Sequence, residues 1–111
     1  MDTSRSADDS NWIAGALVFS GRRDPTWPVP AGVGRHLEQL WSALPPWSGE
    51  RPRPPDLGYR GCTLTAPDGR VWAAFREVVT LANDSRHDSE REFERTLIAS
   101  APPGILPPVA F

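Results

Sequence analysis

Cys62-Thr63-Leu64-Thr65-Ala66-Pro67-Asp68-Gly69-Arg70-Val71-Trp72-Ala73-Ala74-Phe75 is the stretch whose reading decides the fold. Two runs of β-branched, aromatic and small apolar residues flank Pro-Asp-Gly. In that turn Pro presets φ, Asp caps its own backbone, and Gly supplies positive φ. The spacing predicts an antiparallel hairpin with Thr65 opposite Val71, Leu64 opposite Trp72, Cys62 opposite Ala74 and Gly61 opposite Phe75. Carried over Leu57 to Leu81, one face would hold Leu57, Tyr59, Val71, Phe75 and Val79. The other would hold Cys62, Leu64, Trp72, Ala74 and Val78. Apolar groups on both faces predict a hairpin built into a larger layer.

Upstream, Trp12 to Phe19 is a run poor in charge that predicts a strand buried on both faces. Ser20 to Val29 follows as a loop, kept out of helix by Pro25 and Pro28. Val33, Leu37, Leu40, Trp41 and Leu44 recur at helical spacing and predict an amphipathic helix from Ala31 to Leu44, stopped by Pro45-Pro46. Residues 45–56 hold five prolines and predict a connector of polyproline character. Asn83 to Asp88 reads as a break. A second helix is expected from about Ser89, where Ser89 and Glu92 have capping-box spacing, with Phe93, Leu97, Ile98 and Ala101 as its buried stripe. Glu90, Arg91, Glu92, Glu94 and Arg95 read as its solvated face, and Pro102-Pro103-Gly104 ends it.

The order β-α-β-β-α predicts an α+β, two-layer sandwich: a three-stranded sheet with two helices packed on one face. Residues 12–104 read as one domain, with a disordered, polar tail over 1–11 and an apolar, Pro-broken tail over 105–111.

The 111 residues suit one domain, whose small core leans on five Trp. All 12 basic residues are Arg and the net charge is −2. That balance supplies no general field for nucleic acid or an anionic membrane. One Cys allows no internal disulfide. The first residues lack signal-peptide order, and no apolar run reaches membrane-spanning length. The expected location is the cytoplasm.

The polar loop offers the candidate site. Ser20, Gly21, Arg22, Arg23, Asp24, Pro25, Thr26 and Trp27 join a strand to a helix, where backbone N–H groups and two Args suit a carboxylate or phosphate. Trp27 would supply a stacking face, or else plug the sheet edge while Asp24 pairs with an Arg. Tyr59 and Arg60, between Gly58 and Gly61, extend the candidate set, the glycines allowing a bulge or close backbone approach. The predicted register sets Arg60 across from Arg76, an unfavourable pair unless a carboxylate or bound anion lies between them.

Val18-Phe19-Ser20-Gly21-Arg22-Arg23-Asp24-Pro25-Thr26-Trp27, with the later Gly58-Tyr59-Arg60-Gly61, resembles small uncharacterised bacterial proteins. In those a strand ends in a Ser-Gly-Arg-Pro-x-Pro-x-Trp loop and a Gly-Tyr-Arg-Gly strand follows. The resemblance spans roughly residues 13 to 80, and this chain differs at Arg23, where those proteins carry Pro. It implies a family and no activity, and it singles out Ser20, Gly21, Arg22, Pro25, Trp27, Tyr59 and Arg60.

No GxGxxG or GxxxxGK[ST] occurs, which excludes the common nucleotide loops. Cys62, His36 and His87 lack metal-motif spacing, so no metal or cofactor is expected. Asp24, Asp56 and Glu77 are the carboxylates available for acid–base work. The leading expectation is a binding or interaction module whose ligand-binding residues are Ser20, Arg22, Arg23, Asp24, Trp27, Tyr59 and Arg60. Its partner would be a small anionic or aromatic molecule, or a peptide or protein, with no nucleic acid and no membrane. The alternatives are a small enzyme acting on an anionic substrate, with Asp24 or Tyr59 moving a proton, and a structural homodimer joined at a sheet edge.

Overall fold

The computed structural model describes residues 11–18, 23–50, 52–53 and 59–106. Its elements run β1 (Trp12–Ala16), β2 (Thr26–Val29), α1 (Ala31–Ala43), β3 (Cys62–Thr65), β4 (Val71–Phe75), β5 (Val78–Leu81), β6 (Asp84–His87) and α2 (Glu92–Ala99). The strands form one antiparallel sheet in the order β2-β1-β3-β4-β5-β6. The α+β class stands, but the expected three-stranded sheet is replaced by six strands.

The three added strands have physical reasons. β2 lies inside the expected loop: Trp27 and Val29 alternate with exposed Thr26 and Pro28, the period of a strand half in the core. Pro28 is tolerated because β2 is an edge, where a missing N–H faces outward. The run Val71 to Leu81 is two strands. Phe75 pairs with Val78 across the two-residue turn Arg76-Glu77, with Arg76 at φ 57°. A second such turn, Ala82-Asn83, has Ala82 at φ 54° and leads into β6. Left-handed φ at a non-glycine costs about 1–2 kcal/mol, which the flanking ladders offset. The first turn exchanges the faces expected of the two valines: Val79 pairs with Ala74 and Val78 with Phe75.

The hairpin itself has the predicted register, Thr65 to Val71, Leu64 to Trp72 and Cys62 to Ala74. One sheet face carries Trp12, Ala14, Ala16, Trp27, Val29, Cys62, Leu64, Trp72, Ala74 and Val79, all buried with Leu37 and Trp41 of α1 and Phe93 and Leu97 of α2 in one cluster. Each large side chain so buried is worth about 1.5–3 kcal/mol. α1 sits close on β1: a β-carbon at Gly34 would stand 2.3 Å from Trp12 Cδ2. Among the described residues neither helix packs on the opposite face. Across it run Thr26, Gly15, Thr63, Ala73, Thr80 and Ser85 in one paired row, with exposed Ile13 and Val71 to one side and Leu17 to the other. In β1 Trp12, Ala14 and Ala16 are buried on the helix side, whereas on the other face Gly15 is buried and Ile13 is exposed.

α2 starts later than the expected Ser89. Asp88, buried before it, accepts from the amides of Glu92 at 3.0 Å and Phe93 at 2.8 Å. Arg91 adopts φ 57° to make the entry. Ser89 is exposed. On the β6 side, Pro45 to Trp47 extends the sheet: Trp47 N–H donates to Ser85 C=O and His87 N–H to Pro45 C=O. This part of the Pro-rich connector covers an edge that would otherwise be unpaired.

Candidate functional site

A cleft of about 190 Å³ opens at the sheet face away from the helices. Leu17 at the end of β1, Phe75 and Val78 at the second hairpin, and Thr80 form its sheet side, with Pro52 from the connector across from them and Arg60 among its lining. Strand alternation puts Ala73 and Phe75 on this face, and the tight Arg76-Glu77 turn returns Val78 beside Phe75. Val78 is buried although it lies on the face away from the helices.

The rim is fixed by backbone bonds. Leu17 N–H donates to Gly61 C=O at 2.8 Å and Arg60 N–H donates to Leu17 C=O at 2.7 Å. Gly61 has φ +120°, and a β-carbon there would lie 2.8 Å from the Ala74 carbonyl oxygen. The close backbone approach expected at this glycine is therefore present, and it brings Arg60 to the cleft. Arg60 Nη2 is 3.8 Å from Asp24 Oδ2, while Asp24 Oδ1 accepts the Val18 amide at 2.9 Å. Asp24 thus ties the end of β1 to Arg60 across the sheet end.

The expected site residues divide. Ser20, Gly21 and Arg22 lie outside the described residues, as do Gly58 and Asp56. Asp24 and Arg60 come together, and Arg23 is exposed before β2. Trp27 is 1% exposed, its indole N–H donating to Ser100 Oγ at 2.9 Å. It joins the edge strand to the end of α2 and presents no stacking face. Arg76 occupies the β4–β5 turn, with its guanidinium carbon 5.3 Å from the Phe75 ring centre. Leu17, Pro52, Phe75, Val78 and Thr80 were not among the expected residues. Only the alternation of Val71, Ala73 and Phe75 in the sequence points towards that face.

Tyr59 turns to the helix side. Its hydroxyl donates to Glu94 Oε2, and Arg91 Nε donates to Glu94 Oε1 at 2.9 Å. Glu94 has no exposed surface, so this pairing lets a carboxylate sit in the core. Burial pushes the Tyr59 phenol far above its ordinary range, with nearby Cys62 and Glu94 adding to the effect. Burial likewise pushes the Cys62 thiol up. Both groups keep their protons at neutral pH, which suits neither a nucleophile nor a proton-transfer residue.

His36 is exposed on α1, and His87 Nε2 lies 2.9 Å from Glu77 Oε1. Among the described residues no three His, Cys, Asp or Glu side chains are grouped to hold a metal ion. No helix among them is long and apolar enough to cross a membrane. In comparisons with known proteins, no family model, curated protein or solved structure matches the chain.

Proposed function

We propose that this chain is a small binding module whose ligand enters the cleft between Pro52 and the sheet face away from the helices. The observation that carries the reading is an apolar recess on the sheet face away from the two helices, with Arg60 in its lining. Binding sites are concave, mostly apolar and provided with a few polar groups that fix orientation. Leu17, Phe75 and Val78 supply the apolar contact, and Arg60 and Thr80 are the polar residues of the lining. Rigid strands and the Leu17–Arg60 backbone bonds hold these side chains before any ligand arrives, which lowers the entropy lost on binding. The Asp24–Arg60 pair retains a part of the expected loop site in this reading.

The test is a fragment screen on the isotope-labelled full chain, read by amide chemical shifts. Fragments should move the amides of Leu17, Gly61, Phe75, Val78 and Thr80 as one group. Ala73→Trp, on the exposed face, fills the cleft without entering the core and should abolish those shifts while leaving the remaining spectrum folded. A chain in which no fragment moves this group would refute the reading.

A further inference from the structure

We infer that His87 is a proton-operated latch for the strap Pro45–Trp47, which lies along the outer edge of β6 and is held there more firmly when the imidazole is charged. The strap is joined to the strand by a short bridge. Trp47 N–H donates to Ser85 C=O at 2.9 Å, His87 N–H donates to Pro45 C=O at 2.7 Å, and Pro46 stands opposite Arg86. Pro45 and Pro46 have no N–H, so the strap has little more backbone pairing to give. β6, Asp-Ser-Arg-His, brings no apolar side chain to the junction. The side-chain contact between the two is the Trp47 ring, set edge-to-face on the His87 ring with centres 5.1 Å apart. Its indole N–H donates to Gly49 C=O at 3.1 Å, which holds the ring in that place. Trp12, Trp27, Trp41 and Trp72 are buried in the core, whereas Trp47 is half-buried at this surface contact.

The charge on His87 bears on this contact, since imidazole is the side chain that changes charge between about pH 5 and 8. From the β4–β5 turn Glu77 faces it, with Oε1 2.9 Å from Nε2. Glu77 is no part of the strap, so that pair is open to His87 whether the strap is seated or lifted. The strap brings Pro45, Pro46 and Trp47, none of them titratable, and Val78 opposite His87 in β5 is apolar. Arg86 turns to Trp41 and Asp84, and Asp88 to the amides of α2. Arg76, beside Glu77, lies over Phe75. The interaction that differs between the two strap states is therefore the one with the indole. A cation within about 6 Å of the Trp ring centre gains an attraction that a neutral imidazole lacks. A proton that binds the seated state better shifts the strap towards it. Acidification thus tightens the cover on a strand edge that, unpaired, would recruit other chains.

The test is amide hydrogen exchange on the full chain at about pH 5 and about pH 8, expressed as protection factors so that the intrinsic pH dependence of exchange cancels. The Trp47 and His87 amides are the two donors of the bridge. They should gain about two- to fivefold in protection at the lower pH, relative to the amides of Leu64 and Trp72 in the core strands. His87→Gln keeps both backbone bonds and should erase the gain, as should Trp47→Leu. Glu77→Gln should retain it, because its carboxylate serves both strap states. A gain that survives in His87→Gln or in Trp47→Leu would place the sensitive group elsewhere and overturn the latch. Equal protection at the two pH values in the native chain would overturn it as well.

Discussion

Tyr59 hands the proton of its hydroxyl to a hydrogen bond with Glu94, a carboxylate fully enclosed between α2 and the sheet. Cys62 lies beneath it, and both acids are held in their protonated forms by burial. An alkaline limit to stability follows. The unfolded chain releases the thiol proton near its ordinary value of 9.0 and the phenol proton near 10.0, while the folded chain retains both. Above these values the unfolded state binds fewer protons, so stability is complete below about pH 9 and falls as pH rises. Cys62 contributes a slope of up to about 1.4 kcal/mol per pH unit. Tyr59, nearer solvent, adds a shallower one. As the chain has one tyrosine, tyrosinate absorbance reports this residue alone and should appear only as the chain unfolds. Cys62→Ala should delay the onset of urea sensitivity by about one pH unit, and a native chain equally stable at pH 7 and 11 would refute the account.

Gly34 and Gly32 should respond in opposite directions to alanine. Both lie in α1, where alanine is ordinarily favoured by up to about 1 kcal/mol. At Gly32 nothing lies within 4 Å of the added β-carbon, so Gly32→Ala should raise the melting temperature slightly. At Gly34 the same atom would fall 2.3 Å from the Trp12 indole, which is itself stacked on Trp72 with ring centres 6.2 Å apart. Gly34→Ala should cost about 1–3 kcal/mol in urea unfolding by forcing the helix off the sheet. Stabilisation at both positions would contradict the packing.

Asp88, rather than Ser89, governs the start of α2. Asp88→Ala strands two amides that its carboxylate now accepts from, and should cost about 1–3 kcal/mol. Asp88→Asn keeps one acceptor oxygen and should cost less. Ser89→Ala, at an exposed site, should change stability by no more than about 0.5 kcal/mol. Denaturant unfolding of the three variants ranks them directly, and a larger loss at Ser89 would restore the capping box there.

These comparisons mark what the residues made legible. The Pro67-Asp68-Gly69 turn carries its own geometry, so the register from Thr65–Val71 to Cys62–Ala74 could be read directly. α1 was legible because its stripe and the prolines at its ends agree. The turns at Arg76 and Ala82 were not, since neither has a glycine at the left-handed residue and the strain is offset by pairing elsewhere. β6, Asp-Ser-Arg-His, has no apolar alternation because its stability comes from backbone pairing to β5 and to Pro45–Trp47. At the site, Arg60 and Asp24 stood out by charge. Trp27 went to the core because its alternation with Val29 outweighs its place in a polar loop. Pro52 and Val78 reach the cleft through tertiary approach, which no local pattern encodes.

Among the described residues β2 is the unpaired edge of the sheet. β2 pairs with β1 on one side only, through partners such as Ala14–Trp27 and Trp12–Val29. Pro28 sits opposite Ile13 with no N–H to offer, so the middle of the outer edge lacks a donor. The opposite edge is covered at Ser85 and His87 by residues of the connector. An unpaired strand edge with its donors intact recruits other strands, and proline is one of the devices that prevents it. Pro28→Val restores the donor and adds a residue that favours strand, with exposed Ile13 beside it. Sedimentation velocity across a hundredfold range of concentration should show more self-association for the variant than for the native chain. Thermal stability at low concentration should be unchanged or slightly higher, which separates edge pairing from aggregation through unfolding. A variant that sediments as the native chain does at every concentration would show that Pro28 does not guard this edge.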